Sequence, residues 1–380
     1  MPEIKDILAQ LDGENRLRTI PHEATGMIAD LSSNDYMGLG ELGDGFREEF
    51  LNRFPDAAFT SSASRLLSQR QKYHFALEEI LEGLYGKPAL LFNSGYHANV
   101  GCTGALTLPG TLFVCDKLIH ASMVDGLRIA GSEFKRFPHN DLSKLEMILS
   151  RECRNYEYVV VIAESIYSMD GDEADLTELV KLKHLYPNLL LYIDEAHAFG
   201  VRGERGLGVA EEKGLIDEID LLIGTFGKAA ASAGAFAVCS EEMKSLLVNC
   251  ARPFIFSTAL PPVNAAWSIL MTEKLVGMKR ERLHLAELSS LFSSRIEEIS
   301  GVSTGSTSQI IPYLTGDAAR AIAIARTLRD AGFLALPIRR PTVPPGGERI
   351  RFSLNANLDM KKLSPLFDVL RDERIFINEN

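Results

Sequence analysis

Leu189-Leu190-Leu191-Tyr192-Ile193-Asp194-Glu195-Ala196-His197-Ala198-Phe199-Gly200 is an apolar run that stops abruptly at a carboxylate. It shows no alternation of polar and apolar residues, so it reads as a strand covered on both faces, as in a parallel sheet. Residues 89–92, 112–115, 158–163 and 221–223 are runs of the same kind. Helical periodicity lies between them. Residues 75–84 place Leu77, Ile80, Leu81 and Leu84 on one face, and residues 176–186 do so with Leu179, Val180 and Leu182. Strand alternating with helix predicts a doubly wound α/β core with a mainly parallel central sheet.

The texture changes after about residue 260. Pro261-Pro262 precedes helical material over 263–299, a strand over 310–313, a helix over 318–331 and a strand over 350–354. This pattern predicts a smaller α+β C-terminal domain. The expected division is an N-terminal segment over 1–40, a large α/β domain over 41–260 and the small domain over 261–380.

Hydrophobic residues make up 46% and charged residues 24% of 380, the balance of an ordinary soluble globular enzyme. A net charge of −11 speaks against non-specific nucleic-acid binding, which needs basic stripes. Five widely spaced cysteines without a Cys-x-x-Cys pair suggest neither a disulfide framework nor a metal site, and buried free thiols are expected. The start Met-Pro-Glu-Ile-Lys-Asp lacks the features of a signal peptide, and no apolar stretch approaches the roughly 20 residues of a membrane span. The expectation is a cytoplasmic protein.

Asp194-Glu195-Ala196-His197 also spells a motif of nucleic-acid helicases. Those need a Gly-x-x-x-x-Gly-Lys-Ser/Thr phosphate loop upstream. Here Gly-Lys occurs only at 86–87 and 227–228, followed by Pro88 and Ala229, so the magnesium-binding hydroxyl is missing. A different chemistry fits better. In doubly wound sheets ligands sit beyond the carboxyl ends of strands. Asp194 ends one run, and Thr225 follows the next, with Lys228 three residues later. A carboxylate and a lysine so placed suit pyridoxal phosphate, whose pyridine nitrogen needs an acid and whose aldehyde needs an amine.

Seven motifs stand in a fixed order. They are Ser33-Asn34-Asp35-Tyr36-Met37-Gly38-Leu39, Asn93-Ser94-Gly95-Tyr96, Ile119-His120-Ala121-Ser122, Ser168-Met169-Asp170-Gly171-Asp172, Asp194-Glu195-Ala196-His197, Thr225-Phe226-Gly227-Lys228 and Phe256-Ser257-Thr258-Ala259-Leu260-Pro261-Pro262. Through them the chain resembles the α-oxoamine synthases, pyridoxal-phosphate enzymes of fold type I, from about Leu31 onward. The resemblance implies that Lys228 holds the cofactor as a Schiff base and removes the substrate's α-proton. It implies that Asp194 pairs with the pyridinium nitrogen, that His197 sits near the phenolic oxygen and that His120 stacks on the ring. It further implies cofactor contacts from Gly95 and Tyr96 at a helix start, where amides suit a phosphate, and from Ser168 and Thr225. Thr258 would reach the phosphate of a neighbouring subunit, which makes the protein a homodimer with composite sites. Asn34 and Arg339 would face the amino acid, a guanidinium being able to hold a carboxylate with two parallel hydrogen bonds. Arg18 and Thr342 are further candidate substrate contacts.

The family joins an amino acid to an acyl thioester, on coenzyme A or a carrier protein, and releases carbon dioxide. The loop over 337–344, Pro-Ile-Arg-Arg-Pro-Thr-Val-Pro, resembles the branch that uses L-alanine and a pimeloyl thioester in biotin synthesis. Branches using glycine with an acetyl thioester or serine with a palmitoyl thioester are the alternatives, followed by an aminotransferase or a binding paralogue. Departures from the family pattern at Ala63, Gln69, His97, Ala198 and Phe199 fall in the expected walls of the acyl site.

Overall fold

A computed structural model of the chain describes residues 3–21, 24–41 and 43–378. They form two compact units. The larger comprises Asp35–Tyr167 and Glu173–Arg282, the smaller Met1–Asn34, Ser168–Asp172 and Leu283–Asn380.

The larger unit is built on seven strands: β1 (Ala89–Phe92), β2 (Thr111–Asp116), β3 (Glu133–Phe137), β4 (Tyr158–Glu164), β5 (Leu189–Asp194), β6 (Leu221–Thr225) and β7 (Ala235–Cys239). Their order in the sheet is β1-β7-β6-β5-β4-β2-β3. Pairing is parallel throughout the stretch from β3 to β6, while β7 runs antiparallel to both β6 and β1. All five apolar runs are strands, and all are almost entirely buried because helices cover both faces. The two strands that the run pattern misses have physical reasons to be missed. The third, Glu-Phe-Lys-Arg-Phe, lies at the sheet edge, where charged side chains reach water and discourage a further strand. The seventh, Ala-Phe-Ala-Val-Cys, is buried, but two of its five residues are alanine, which weakens its β signal.

Succession along the sheet reverses between β2 and β4. After β2 the chain steps outward to β3, then returns to lay down β4, β5 and β6 on the other side. Such a reversal leaves a crevice at the carboxyl ends of the strands. Two glycines let the walls close. A side chain on Gly126 would fall 2.0 Å from Thr103 Oγ1, so its absence allows helix Ala121–Ala130 to pack on helix Gly95–Ala105. A side chain on Gly224 would fall 2.1 Å from the Phe236 ring.

The smaller unit carries a three-stranded antiparallel sheet in the order Leu336–Ile338, Arg349–Ser353, Ile310–Leu314. Helix Ala318–Asp330 packs beside it, and Ala29–Asp30 pairs in parallel with Phe333–Leu334. The helical stretch expected over 263–299 is two helices, Pro262–Gly277 and Lys279–Ser300, parted at Met278. Of the five free cysteines, expected to be buried, Cys250 is exposed because it ends helix Glu241–Cys250 on a solvent-facing turn. No described helix is long and apolar enough to cross a membrane.

Candidate active site

The crevice of the larger unit gathers side chains from the ends of four strands. Asp194 closes β5 and is buried. Its Oδ2 accepts from Asn99 Nδ2 at 2.8 Å and its Oδ1 from the Ala196 amide at 2.8 Å. Asn99 lies one helical turn beyond Gly95 and is itself fully committed. It donates to Ser122 Oγ at 3.0 Å and accepts from Tyr192 O–H at 2.7 Å.

His197 follows three residues after Asp194. Its Nδ1 pairs with Tyr36 O–H at 2.7 Å and its Nε2 with Lys228 Nζ at 2.9 Å. Lys228 is half-buried in the turn after β6. That turn is fixed by Thr225, whose Oγ1 donates to the Gly234 carbonyl and accepts from the Gly227 amide. The same hydroxyl stands 3.9 Å from where a side chain on Gly95 would lie, so the turn bearing the lysine faces the start of helix Gly95–Ala105. Ser94 caps that helix, accepting from the His97 amide at 3.2 Å. Its positive end is therefore ordered and aimed into the crevice beside the lysine turn.

His120 follows β2 and caps helix Ala121–Ala130, its Nδ1 accepting from the Ser122 amide at 3.3 Å and pairing with Ser122 Oγ at 2.7 Å. Its ring is exposed, yet the surrounding protein desolvates it enough to push its imidazole below the ordinary histidine value. The Lys228 charge works in the same direction, while Asp194 and Asp125 oppose it. Tyr96 is half-exposed, and its hydroxyl donates to Asp125 at 3.0 Å. Thr258 is exposed. Its carbonyl accepts from Asn93 Nδ2 at 2.6 Å, which ties the Thr258 loop to the turn that precedes Gly95.

Glu195, adjacent to the site, serves the fold. It accepts from the Val209 and Ala210 amides at 3.1 and 2.7 Å and from Ser165 O–H. Burial pushes its carboxyl up to about 7 against those donors. Because this folded value lies above the unfolded one near 4.5, the native state binds more protons between the two. The stabilisation is complete below about 4.5 and is lost as pH rises through 7, an effect of up to about 3 kcal/mol. Urea midpoints of the cofactor-free protein should therefore fall between pH 5.5 and 8. Glu195→Gln should flatten that slope, and an unchanged slope in the variant would reject the assignment.

The smaller unit holds the remaining expected residues. Arg18 Nη2 donates to Thr342 Oγ1 at 3.0 Å. Arg339 donates to the Asn15 and Leu17 carbonyls at 2.7 and 3.4 Å, and its guanidinium is pushed below the usual range by burial and by the nearby Arg18 charge. Arg18, Thr342 and Arg339 thus lie together. Asn34 is elsewhere in the unit, where its Oδ1 accepts from both Nη1 and Nη2 of buried Arg351 at 3.1 Å. Arg351 Nε holds the Ser168 carbonyl at 2.6 Å, so Ser168, Asn34 and Arg351 form one cluster.

Sequence reasoning did not single out Asn99, Tyr36, Ser122, Glu164 or Arg351. Asn99 had a usable signal, since it falls four residues after Gly95 and so on the same helical face. Arg351 had another, because Arg349-Ile350-Arg351 places two charges at alternate positions of a strand whose residues are otherwise buried.

Comparison with known proteins agrees with this constellation. A family model for aminotransferase class I and II matches residues 27–370. A relative from Pasteurella multocida, provisionally named 8-amino-7-oxononanoate synthase, is 45% identical over 377 residues, covering 96% of this chain and 97% of its own. The serine palmitoyltransferase of S. paucimobilis, solved with a PLP–myriocin adduct, superposes with a TM-score of 0.89 at 25% identity, over 99% and 98% of the two chains. The fold is shared too with the 8-amino-7-oxononanoate synthase of Francisella tularensis, with a TM-score of 0.79 at 22% identity over 93% and 99%. A buried acid, a lysine paired with a histidine, and a capped helix start facing the lysine turn fit pyridoxal phosphate. The chain belongs to the aminotransferase class I and II family and, within it, is an α-oxoamine synthase, a pyridoxal-phosphate-dependent acyltransferase of fold type I.

Proposed function

We propose that this enzyme condenses L-alanine with a pimeloyl thioester, releasing carbon dioxide and the thiol, to give 8-amino-7-oxononanoate for biotin synthesis. The 45% identity to the Pasteurella relative supports the reading. The observation that carries it is the pairing of Arg18 and Arg339 beside Thr342. Burial first, and then the Arg18 charge, lower the Arg339 guanidinium, and a cation so placed beside a second one suits an anionic ligand. A pimeloyl chain ends in a carboxylate, whereas acetyl and palmitoyl chains do not.

When bound, pyridoxal phosphate supplies an aldehyde for amines and a ring that accepts the electron pair left at the substrate's α-carbon. Asp194, which accepts from Asn99 and the Ala196 amide, would pair with the ring nitrogen and hold its proton. The first-turn amides of Gly95 and Tyr96, with Thr225, would take the phosphate, and Thr258 would serve the phosphate of a second subunit. His120 would cover one ring face, Ser168 would add a hydroxyl, and His197 would lie by the phenolic oxygen. Lys228 Nζ removes the α-proton and later returns one. His197, braced by Tyr36, directs that amine. Asn34 and Arg351 bind the amino acid's carboxylate, with two guanidinium nitrogens turned towards the Asn34 oxygen. Arg339, with Arg18 and Thr342, takes the far end of the acyl chain.

The likeness to serine palmitoyltransferase favours serine and a palmitoyl thioester as the second reading. Release of carbon dioxide from alanine, glycine and serine, each paired with pimeloyl-, acetyl- and palmitoyl-coenzyme A, separates the two. Alanine with pimeloyl should exceed every other pair by at least about tenfold in kcat/KM. Arg18→Ala should raise the KM for the pimeloyl thioester about tenfold, the worth of one charge-assisted hydrogen bond, and leave the KM for alanine unchanged. Faster turnover with serine and palmitoyl would reject the reading.

The homodimer has support on the larger unit. Phe59, Leu67 and Phe256, the last two residues from Thr258, are exposed by 84%, 73% and 70%. Apolar side chains so exposed are available to be covered by a second copy of the chain. Sedimentation at micromolar concentration should give twice the chain mass. Four buried thiols without a disulfide agree with a reducing cytoplasm.

A further inference from the structure

Glu164 has no part in that scheme, yet it lies beside Asp194 at the carboxyl edge of the sheet. It closes β4, and its Cα is the register partner of Asp194 on β5. Register partners on parallel strands project to the same face, about 4.8 Å apart. Both carboxyls are buried. Asp194 accepts two hydrogen bonds, one on each oxygen. Glu164 accepts one, from the His120 backbone amide. Its Oε1 is shielded from solvent and has no hydrogen-bond partner among the described residues.

The charges around Glu164 are Asp194 on β5, Asp116 at the end of β2, and Lys228 after β6. Two like charges and one opposite charge surround a fully desolvated group. Such a pair of carboxyls holds one proton between them. Asp194 has the donors that an ionised carboxylate requires, and Glu164 has an oxygen with none. Leaving a neutral hydroxyl unpaired costs far less than leaving a charge unpaired. The direction of the Glu164 pKa agrees: burial first, and then Asp194, raise it well above the carboxylate range.

We propose that Glu164 is a positioning residue of the cofactor site, acting as a neutral acid that fixes the His120 peptide and leaves Asp194 as the only negative charge of the pair. Its neutrality matters because an ionised Glu164 would share with Asp194 the proton that the ring nitrogen needs. Its acceptor oxygen matters because the His120 ring hangs from the peptide it holds. The proposal stands on the cofactor site alone and is independent of which amino acid and acyl group react.

The test compares the wild-type enzyme with Glu164→Gln and Glu164→Leu, all loaded with pyridoxal phosphate. Glutamine keeps the shape, the acceptor and the neutrality. Leucine keeps the volume and removes the acceptor. Cofactor dissociation constants and the pH titration of the bound cofactor's absorption are read together with the melting temperature of each cofactor-free form. For Glu164→Gln, the affinity should stay within about threefold and the titration midpoint should not move. Glu164→Leu should bind the cofactor about tenfold more weakly. If the leucine variant fails to fold, infrared difference spectra decide alone. The wild type should show the carbonyl stretch of a protonated carboxylic acid, and Glu164→Gln should lack it. A titration midpoint displaced in Glu164→Gln, wild-type affinity in Glu164→Leu, or an identical carbonyl region in the wild type and Glu164→Gln would overturn the proposal.

Discussion

Lys228→Ala is expected to lower kcat by about 10²–10⁴, the range that a positioned proton-transfer group contributes, while the protein remains folded. The lysine is half-buried, and its nearest sequence neighbours Ala229 and Ala230 supply the buried packing of the turn. Its removal should cost less than about 1 kcal/mol of stability. The Tyr36–His197 pair at 2.7 Å keeps the imidazole in place without the amine. Adding a small primary amine such as ethylamine should recover part of the lost rate, because the vacated space admits the missing base. The comparison is of kcat with and without the added amine, alongside thermal melting. Wild-type kcat in the variant would remove Lys228 as the base. Lost activity with a collapsed melting temperature would show a structural lysine instead.

Asp194→Asn should lower kcat/KM by about 10²–10³, comparable to loss of one preorganised electrostatic contact, and should weaken retention of the cofactor. The substitution is nearly isosteric, but its chemistry is wrong in two ways. It removes the acid that, in the proposed reading, would hold a proton on the ring nitrogen. It also places an amide N–H₂ where either Asn99 Nδ2 or the Ala196 amide now donates. Asn99 cannot easily turn its amide to compensate, because Tyr192 and Ser122 already fix which end faces where. One donor is left unpaired, at about 1–3 kcal/mol. The variant should thus melt lower even without cofactor, and it should lose cofactor on dialysis faster than the wild type. Equal retention and equal kcat/KM would mean that the acid does not engage the ring.

The two variants read different parts of one arrangement. Lys228 and Asp194 stand at the ends of adjacent strands, β6 and β5, and His197 links them, being three residues from one and hydrogen-bonded to the other. His120 and Glu164 approach from β2 and β4 on the other side. Asp194, Lys228, His120 and Glu164 therefore lie together at the carboxyl edge of the sheet, where the strand order reverses.

Local sequence determined a large share of this protein. Apolar runs without alternation fixed the buried strands, since only a strand covered on both faces has no polar side to show. The residues ending those runs, Asp194 and the turn to Lys228, were legible for the same reason: a chain leaving a buried strand first meets the ligand crevice. Sequence did not reveal which partners those residues have. Tyr36 meets His197 across 161 residues, and Asn99 meets Asp194 across 95. Arg351 meets Asn34 across 317. Nor did it show that Arg18 donates to Thr342, or that Glu164 stands beside Asp194. Those pairings follow from strand order and register. These are set by the packing of the whole sheet, and no window of neighbouring residues contains that information.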